Sequence, residues 1–290
     1  IPVVLFLFMI LPPRRAVIVS FLAAWLFLPM AAYKLPGLPD YTKMSATVCG
    51  VLMAAAIFDS DRLLSFRPSW IDIPMFVYCL SPMMSSYLNN LGIYDGCSEI
   101  VRQFVTWGFP YLIGRVYFND LQGYRELAIW LFIGGLVYVP LCWFEVRMSP
   151  QLHLWVYGFR QHSFAKQMRD GGYRPMVFMQ HGLMVAMWMS MTTLIGAWLW
   201  KSKALRALWE IPMYVLVPAM LFTVYLCKSK YAALLMVAGF GALWASTRLK
   251  SRWVIIAMLM IPPVYMYLRA DAIVTGENMI LLEQLRLGQL

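Results

Sequence analysis

The sequence predicts an all-α membrane protein, a bundle of about ten transmembrane helices. Hydrophobic residues make up 61% of the 290 positions and charged residues only 13%, whereas about a quarter of the residues in a soluble domain are charged. Apolar runs such as residues 176–200 and 211–227 approach or reach the ~20 residues that cross ~30 Å of hydrocarbon as a helix. Because backbone groups find no hydrogen-bonding partner in lipid, these runs are predicted to be helices.

The predicted spans are apolar runs separated by polar or turn-forming residues. The first run has no basic region before it, so we interpret it as a membrane helix and not as a signal peptide. The spans lie near residues 1–12, 16–32, 44–58, 71–88, 101–118, 127–144, 176–200, 211–227, 231–246 and 253–268.

The domain organisation follows from these spans. We expect one membrane domain over residues 1–268, with an outer loop at about 145–174, and residues 269–290 as the start of an outer-face loop or tail. Within the outer loop, Trp155 and Tyr157 lie close to His153 and Arg160. This mixture of aromatic and cationic side chains suits a segment that lies among lipid headgroups.

The distribution of Lys and Arg predicts which ends of the spans face the cytoplasm, because short cytoplasmic loops carry more Lys and Arg than short outer loops do. This topology accounts for the formal net charge of +10, so we expect a lipid bilayer and no nucleic acid as the partner. The basic connections carry Arg14 and Arg15, then Arg62 and Arg67, Arg115 and Arg125, Lys201, Lys203 and Arg206, and finally Arg248, Lys250 and Arg252.

The common signatures of soluble enzymes do not occur in the sequence. It contains no Walker A loop, no GxGxxG after a strand, no HExxH and no GxSxG. Most of its cysteines lie in or beside apolar runs, without a CxxC pair. We therefore expect no metal and no cofactor, and we look for function among the charges near the predicted outer surface.

Arg174 is the first candidate. It follows Gly171-Gly172 and precedes Pro175, which suits a tight turn that leads into a helix. At the outward N-terminus of that helix, its guanidinium, free backbone N–H groups and the helix dipole would all favour a phosphate or a diphosphate. His181 would lie two turns deeper on the same face, roughly 10 Å away. The alternatives are that Arg174 reaches toward headgroups and that His181 hydrogen-bonds a neighbouring helix.

Lys228 and Lys230 form a second candidate group, because two cations in a very short outer connection run against the usual charge preference. An anionic ligand would explain them, and a solvated turn is the alternative. Arg102 begins another span on the same side. For Glu145 we expect an ion pair with Arg147 or another cation.

Two segments resemble the O-antigen ligase and O-antigen polymerase family of bacterial membrane glycosyltransferases. That family commonly has an arginine followed by a glycine, an aromatic residue and a small-Pro-Asn sequence at the start of a membrane helix. Residues 174–183, Arg-Pro-Met-Val-Phe-Met-Gln-His-Gly-Leu, look like a variant, with Val177 where glycine is usual and Gly-Leu in place of Pro-Asn. Residues 228–235 are similar to a second family segment, with Lys230 where arginine is usual.

The resemblance implies a GT-C-like enzyme of the bacterial cytoplasmic membrane, without a metal. Such an enzyme polymerises or ligates a glycan carried on undecaprenyl diphosphate at the outer face. Arg174 and Lys230, with Lys228 and Arg102, would bind the diphosphate. His181 would be the catalytic base.

The family usually has a large outer loop with further catalytic residues where this sequence ends, so we expect a fragment of a longer enzyme or a shortened relative.

Two other functions are open at this point. A transporter of an anionic amphipathic substrate would show paired repeats and broken helices, which the sequence does not display convincingly. A noncatalytic subunit of a larger membrane assembly would use its many Met, Trp, Tyr and Phe residues to cover partner surfaces.

Overall fold

The computed structural model describes residues 1–34, 40–161, 163–169, 171–249 and 253–270, and most of them are helical, as predicted. The predicted tail lies outside the described residues from position 271 onward. The α-helices are α1 (Pro2–Ile10), α2 (Pro13–Phe27), α3 (Lys43–Phe58), α4 (Ser60–Leu64), α5 (Ile73–Leu88), α6 (Ile93–Gln103), α7 (Phe109–Tyr117), α8 (Leu121–Met148), α9 (Leu152–Tyr157), α10 (Gly182–Lys201), α11 (Met213–Leu226), α12 (Lys230–Leu249) and α13 (Trp253–Ala270).

Short strands and tight helical turns occupy the connections. Each pair of strands forms a two-stranded antiparallel sheet. The pairs are β1 (Ala32–Tyr33) with β2 (Tyr41–Thr42), β3 (Met168–Arg169) with β4 (Gly172–Tyr173) and β5 (Ala207–Leu208) with β6 (Ile211–Pro212). The 3-10 turns are Trp70–Asp72 and Phe164–Gln167.

Three of the described helices, α8, α10 and α12, are long and apolar enough to cross a membrane. Shorter apolar helices include α3 and α11. The protein is therefore a helical, membrane-type chain.

Two predicted spans begin elsewhere in the structure. The run at 101–118 belongs to a longer helical stretch that starts at Ile93 and passes through a π-helical segment, Phe104–Gly108, into α7. The run at 176–200 becomes helical only at Gly182. The first residues of these two helices are determined by hydrogen bonds and packing, which cannot be predicted from hydrophobicity alone.

Helices α8, α10 and α11 pack closely through small residues. A side chain at Gly135 of α8 would collide with Thr192 of α10 and Met220 of α11, and one at Gly196 would collide with the ring of Phe132. Small residues let helix backbones approach in this way, which is the usual basis of helix association in membranes. The three helices form the support on which the candidate site lies.

A second apolar cluster joins α1, α2, α3 and α7. Its buried side chains include Phe8, Val17, Val51 and Ile113. Tyr138 of α8 donates a hydrogen bond to the carbonyl of Leu26, in the last turn of α2. The hydrogen bond connects α2 to the α8–α10–α11 support.

Ion pairs hold the helices together near the N-terminus of α8. Arg14 of α2 lies 2.5 Å from the carboxylate of Asp120, which also accepts the Gly123 N–H and caps α8. Arg115 of α7 pairs with Asp72, whose carboxylate lies 2.8 Å from its Nε and also accepts the hydroxyl of Tyr111.

The chain divides into two compact units, residues 1–233 and 234–290. The second unit contains the greater part of α12 and all of α13. Large apolar side chains such as Leu234 and Trp244 are exposed on α12, which is expected of a helix surrounded by lipid.

Candidate functional site

The segment between β4 and α10, residues 174–181, is not helical and consists of extended residues and turns. The β3–β4 hairpin leads to Arg174, whose backbone N–H donates to the carbonyl of Gln167 at 2.9 Å. The expected helix start at residue 176, with His181 two turns deeper, is wrong. The backbone carbonyls of Val177 and Met179 accept hydrogen bonds from the side chain of Gln161, at 3.1 and 3.0 Å.

Glu145 holds the same segment from the end of α8. Its Oε2 accepts the backbone N–H groups of Met176 and Val177, both at 2.7 Å, and its Oε1 accepts the N–H of Leu152 at 3.1 Å. The side chain is 1% exposed. The predicted ion pair of Glu145 is therefore wrong, because backbone donors from two other segments surround its carboxylate.

Val177 has an unusual backbone conformation, with φ at +50°. This left-handed region is costly for a β-branched residue and easy for glycine. The conformation turns the N–H of Val177 toward Glu145 beside the N–H of Met176. Two successive N–H groups that point at one anion form a backbone nest.

Arg174 is buried against the start of α10 and is 7% exposed. A Cβ atom at Gly182 would lie 2.7 Å from its Nε, so the arginine side chain lies directly over that glycine. Within the described part of the chain, its Nε and Nη2 have no hydrogen-bond partner. Burial and the nearby charge of Arg169 lower the pKa of Arg174, although an arginine stays protonated in proteins.

This placement of a cation is electrostatically unfavourable by itself. The N-terminal end of a helix carries a positive partial charge, and a cation there is on the wrong end of the dipole. Arg169 adds a second positive charge nearby. An anion bound at Arg174 would reverse all of these penalties and would use the unpaired N–H groups.

Lys228 contacts the β3–β4 hairpin that leads to Arg174. Its Nζ donates to the carbonyl of Arg169 at 3.0 Å and approaches the backbone of Gly172. Lys230 begins α12 and is exposed. The structure thus brings Lys228 to the hairpin that precedes Arg174.

Arg102 was also predicted to contribute to the diphosphate site. It belongs to α6, where its Nη2 lies 2.5 Å from the carboxylate of Glu99 on the same helix. Helix α6 packs against α5 and the π-helical segment. Arg102 therefore has a local partner that satisfies its charge.

His181 is the N-cap of α10. Its Nδ1 accepts the backbone N–H of Met184 at 3.4 Å. Since Nδ1 accepts, the neutral ring carries its proton on Nε2. To act as a base through Nδ1, His181 would have to release this capping bond.

An apolar cavity of about 910 Å³ begins beside His181. Its walls come from α2, α7, α8 and α10 and from the start of α3, and they include Met184, Met187 and Met191. Methionine side chains adapt to irregular apolar shapes. The cavity can hold a flexible hydrocarbon chain whose polar end lies near the start of α10.

No protein family, curated protein or solved structure matches the chain. Among the described residues, no group of three or more His, Cys, Asp or Glu side chains could hold a metal ion.

Two polar side chains that the sequence interpretation did not assign to the site are Glu145 and Gln161. Glu145 was visible as an acid near the end of a long apolar run, a costly position that calls for a partner. Gln161 had no comparable signal, because an amide in a polar loop is ordinary.

Proposed function

We propose that the chain is the membrane domain of a glycosyltransferase that polymerises or ligates a glycan carried on undecaprenyl diphosphate. In this proposal about ten of its helices cross the bacterial cytoplasmic membrane, and the reaction takes place at the outer face. The observation that carries the proposal is the buried guanidinium of Arg174 at the N-terminus of α10, whose Nε and Nη2 have no hydrogen-bond partner among the described residues. A diphosphate supplies the negative charge and the acceptor oxygens that this position lacks.

The backbone at Val177 supports the proposal independently. The resemblance described above has a glycine at this position, and the φ of +50° is the conformation that glycine adopts most easily. The backbone at position 177 is therefore one that a glycine would adopt without strain.

The apolar cavity is a second argument that the substrate carries a lipid chain. It begins at His181, one residue before Gly182, over which Arg174 lies. A lipid with a diphosphate at Arg174 can extend its isoprenoid chain along α10 between Met184 and Met191. The head and the tail of one ligand thus have neighbouring sites of matching chemistry.

The proposed chemistry requires stabilisation of a leaving group. When an acceptor hydroxyl attacks the sugar, the bond between the anomeric carbon and the diphosphate oxygen breaks, and negative charge develops on the diphosphate. Arg174 stabilises that charge, with Lys228 and Lys230 as further cations. The acceptor proton passes to a base, for which we propose Nδ1 of His181 once it has released its capping bond to the Met184 N–H.

Replacement of Arg174 by alanine tests this function. We expect Arg174→Ala to lower glycan transfer from an undecaprenyl-diphosphate donor about 100-fold or more, as the removal of a transition-state donor does. Arg174→Lys should restore only part of the rate, because an ammonium lacks the planar fork. Transfer is measured in membranes that contain equal amounts of each variant.

Arg15→Ala is the matched control. Arg15 is exposed in the first turn of α2. Its replacement removes one positive charge, as Arg174→Ala does, but at a position distant in sequence from the candidate site. We expect its transfer rate to equal that of the wild type. Normal transfer by Arg174→Ala, or no transfer by the wild type, would contradict the proposed function.

A further inference from the structure

Glu145 and Arg174 are two buried groups of opposite charge that belong to one site but do not pair. The carboxylate accepts three backbone N–H groups, at 2.7, 2.7 and 3.1 Å. The guanidinium leaves Nε and Nη2 without a partner among the described residues. A buried charge without a counterion is costly, so the separation of these two groups needs an explanation.

The backbone nest explains why the carboxylate stays apart. The three N–H groups occupy both oxygens of the Glu145 carboxylate, so Glu145 bonds to the backbone and not to the guanidinium. Its hydrogen bonds also hold Met176 and Val177, which follow Arg174 directly after Pro175, in their non-helical conformation.

The position of this backbone decides where the arginine points. If Met176 and Val177 joined α10, the helix would start earlier and Gly182 would no longer be its first residue. The Arg174 side chain now lies over Gly182, with its Nε close to the helix start. Glu145 thus determines the helix start over which the guanidinium is held.

We propose that Glu145 is a positioning residue that keeps Arg174 unpaired and directed at an anionic ligand. That the ligand is the diphosphate of a lipid rests on the function proposed above. The positioning role itself concerns only the binding of the anion at Arg174.

Binding of inorganic diphosphate and of farnesyl diphosphate to the purified chain tests this role. We expect Glu145→Ala to weaken both affinities at least about tenfold, close to the loss caused by Arg174→Ala, because the freed backbone no longer holds the guanidinium. Glu145→Gln should keep much of the affinity, since one amide oxygen can still accept from Met176 and Val177. Affinities are measured by titration calorimetry on monodisperse, folded protein in detergent.

Two other roles of Glu145 predict different results. If its charge only repelled the ligand, both substitutions would strengthen binding, because a negative charge near the anion is removed. If it only stabilised the fold, the melting temperature would fall while the affinity of the folded protein stayed unchanged. Either result would overturn the positioning role.

Glu126→Gln is the matched control, since Glu126 lies in the first turns of the same helix. It makes the same change in net charge and should bind both probes as the wild type does. A wild type that binds neither probe would contradict both the positioning role and the proposed function. Probe binding that depends on Glu145 and Arg174, in a wild type that transfers no glycan, would retain the positioning role and overturn only the function.

Discussion

The charged side chains at the two ends of α8 have different kinds of partner. At the N-terminal end, Asp120 pairs directly with Arg14 at 2.5 Å. At the C-terminal end, Glu145 is bound by backbone N–H groups, and two donors of Arg174 have no partner in the described part of the chain. The first arrangement joins helices. The second leaves buried donors of a cation unsatisfied, and we propose that an anionic ligand satisfies them.

The largest expected difference between the two ends is in stability. Glu145→Ala leaves three backbone donors without their acceptor, and each orphaned buried donor costs about 1–3 kcal/mol. We expect a loss of at least about 3 kcal/mol in the free energy of unfolding. Asp120→Ala should cost clearly less, because its ion pair is partly exposed. Chemical denaturation in detergent micelles measures both values, and equal losses would refute the contrast.

Gly182→Ala tests the close contact between Arg174 and the start of α10. The added Cβ would lie within 2.8 Å of Arg174 Cδ and Cγ, so the side chain must move. We expect diphosphate affinity to fall about tenfold. Gly241→Ala is the control, because nothing lies within 4 Å of its Cβ. Affinity unchanged by Gly182→Ala would show that the contact does not position the arginine.

His181 can be tested as a cap and as a base separately. His181→Ala should destabilise the protein by about 1 kcal/mol, the usual cost of a lost N-cap. His181→Asn should keep the stability, since asparagine caps well, but should lose glycan transfer if the imidazole is the base. Full transfer by His181→Asn would assign His181 to the cap alone.

The smallest effect concerns pH at the N-terminal end of α8. The Gly123 N–H and the guanidinium of Arg14 lower the pKa of Asp120. This carboxylate therefore contributes stability above its ordinary pKa of about 3.9, and the contribution is lost as the pH falls below that value. Asp120→Asn should flatten the acid side of a melting-temperature profile. An unchanged profile would show that Asp120 contributes little to acid sensitivity.

Most helices could be predicted from the sequence because apolar composition is a local property. Residues 44–58 and 231–246 were expected as spans, and α3 and α12 lie there within a few residues. The start of α10 could not be predicted in this way. It depends on Glu145 and Gln161, which lie 32 and 16 residues before Val177 and hydrogen-bond its backbone.

The cations of the candidate site could be predicted from the sequence, but their partners could not. Lys228 stood out because cations in a very short outer connection are unusual. Arg174 stood out because it lies between Gly171-Gly172 and Pro175, a pattern that suits a turn leading into a helix. Arg102 was expected to bind the diphosphate, but it pairs with Glu99 on the neighbouring turn of α6. The role of Glu145 could not be foreseen, because an acid near the end of an apolar run suggests a cation as its partner and not a backbone nest.

A structure determined by electron cryomicroscopy with farnesyl diphosphate tests the central claim most directly. We predict density for the diphosphate within hydrogen-bonding distance of Nε and Nη2 of Arg174, at the N-terminus of α10, with the isoprenoid chain along Met184 and Met187. Diphosphate density elsewhere, with Arg174 paired to a carboxylate of the chain, would contradict the account.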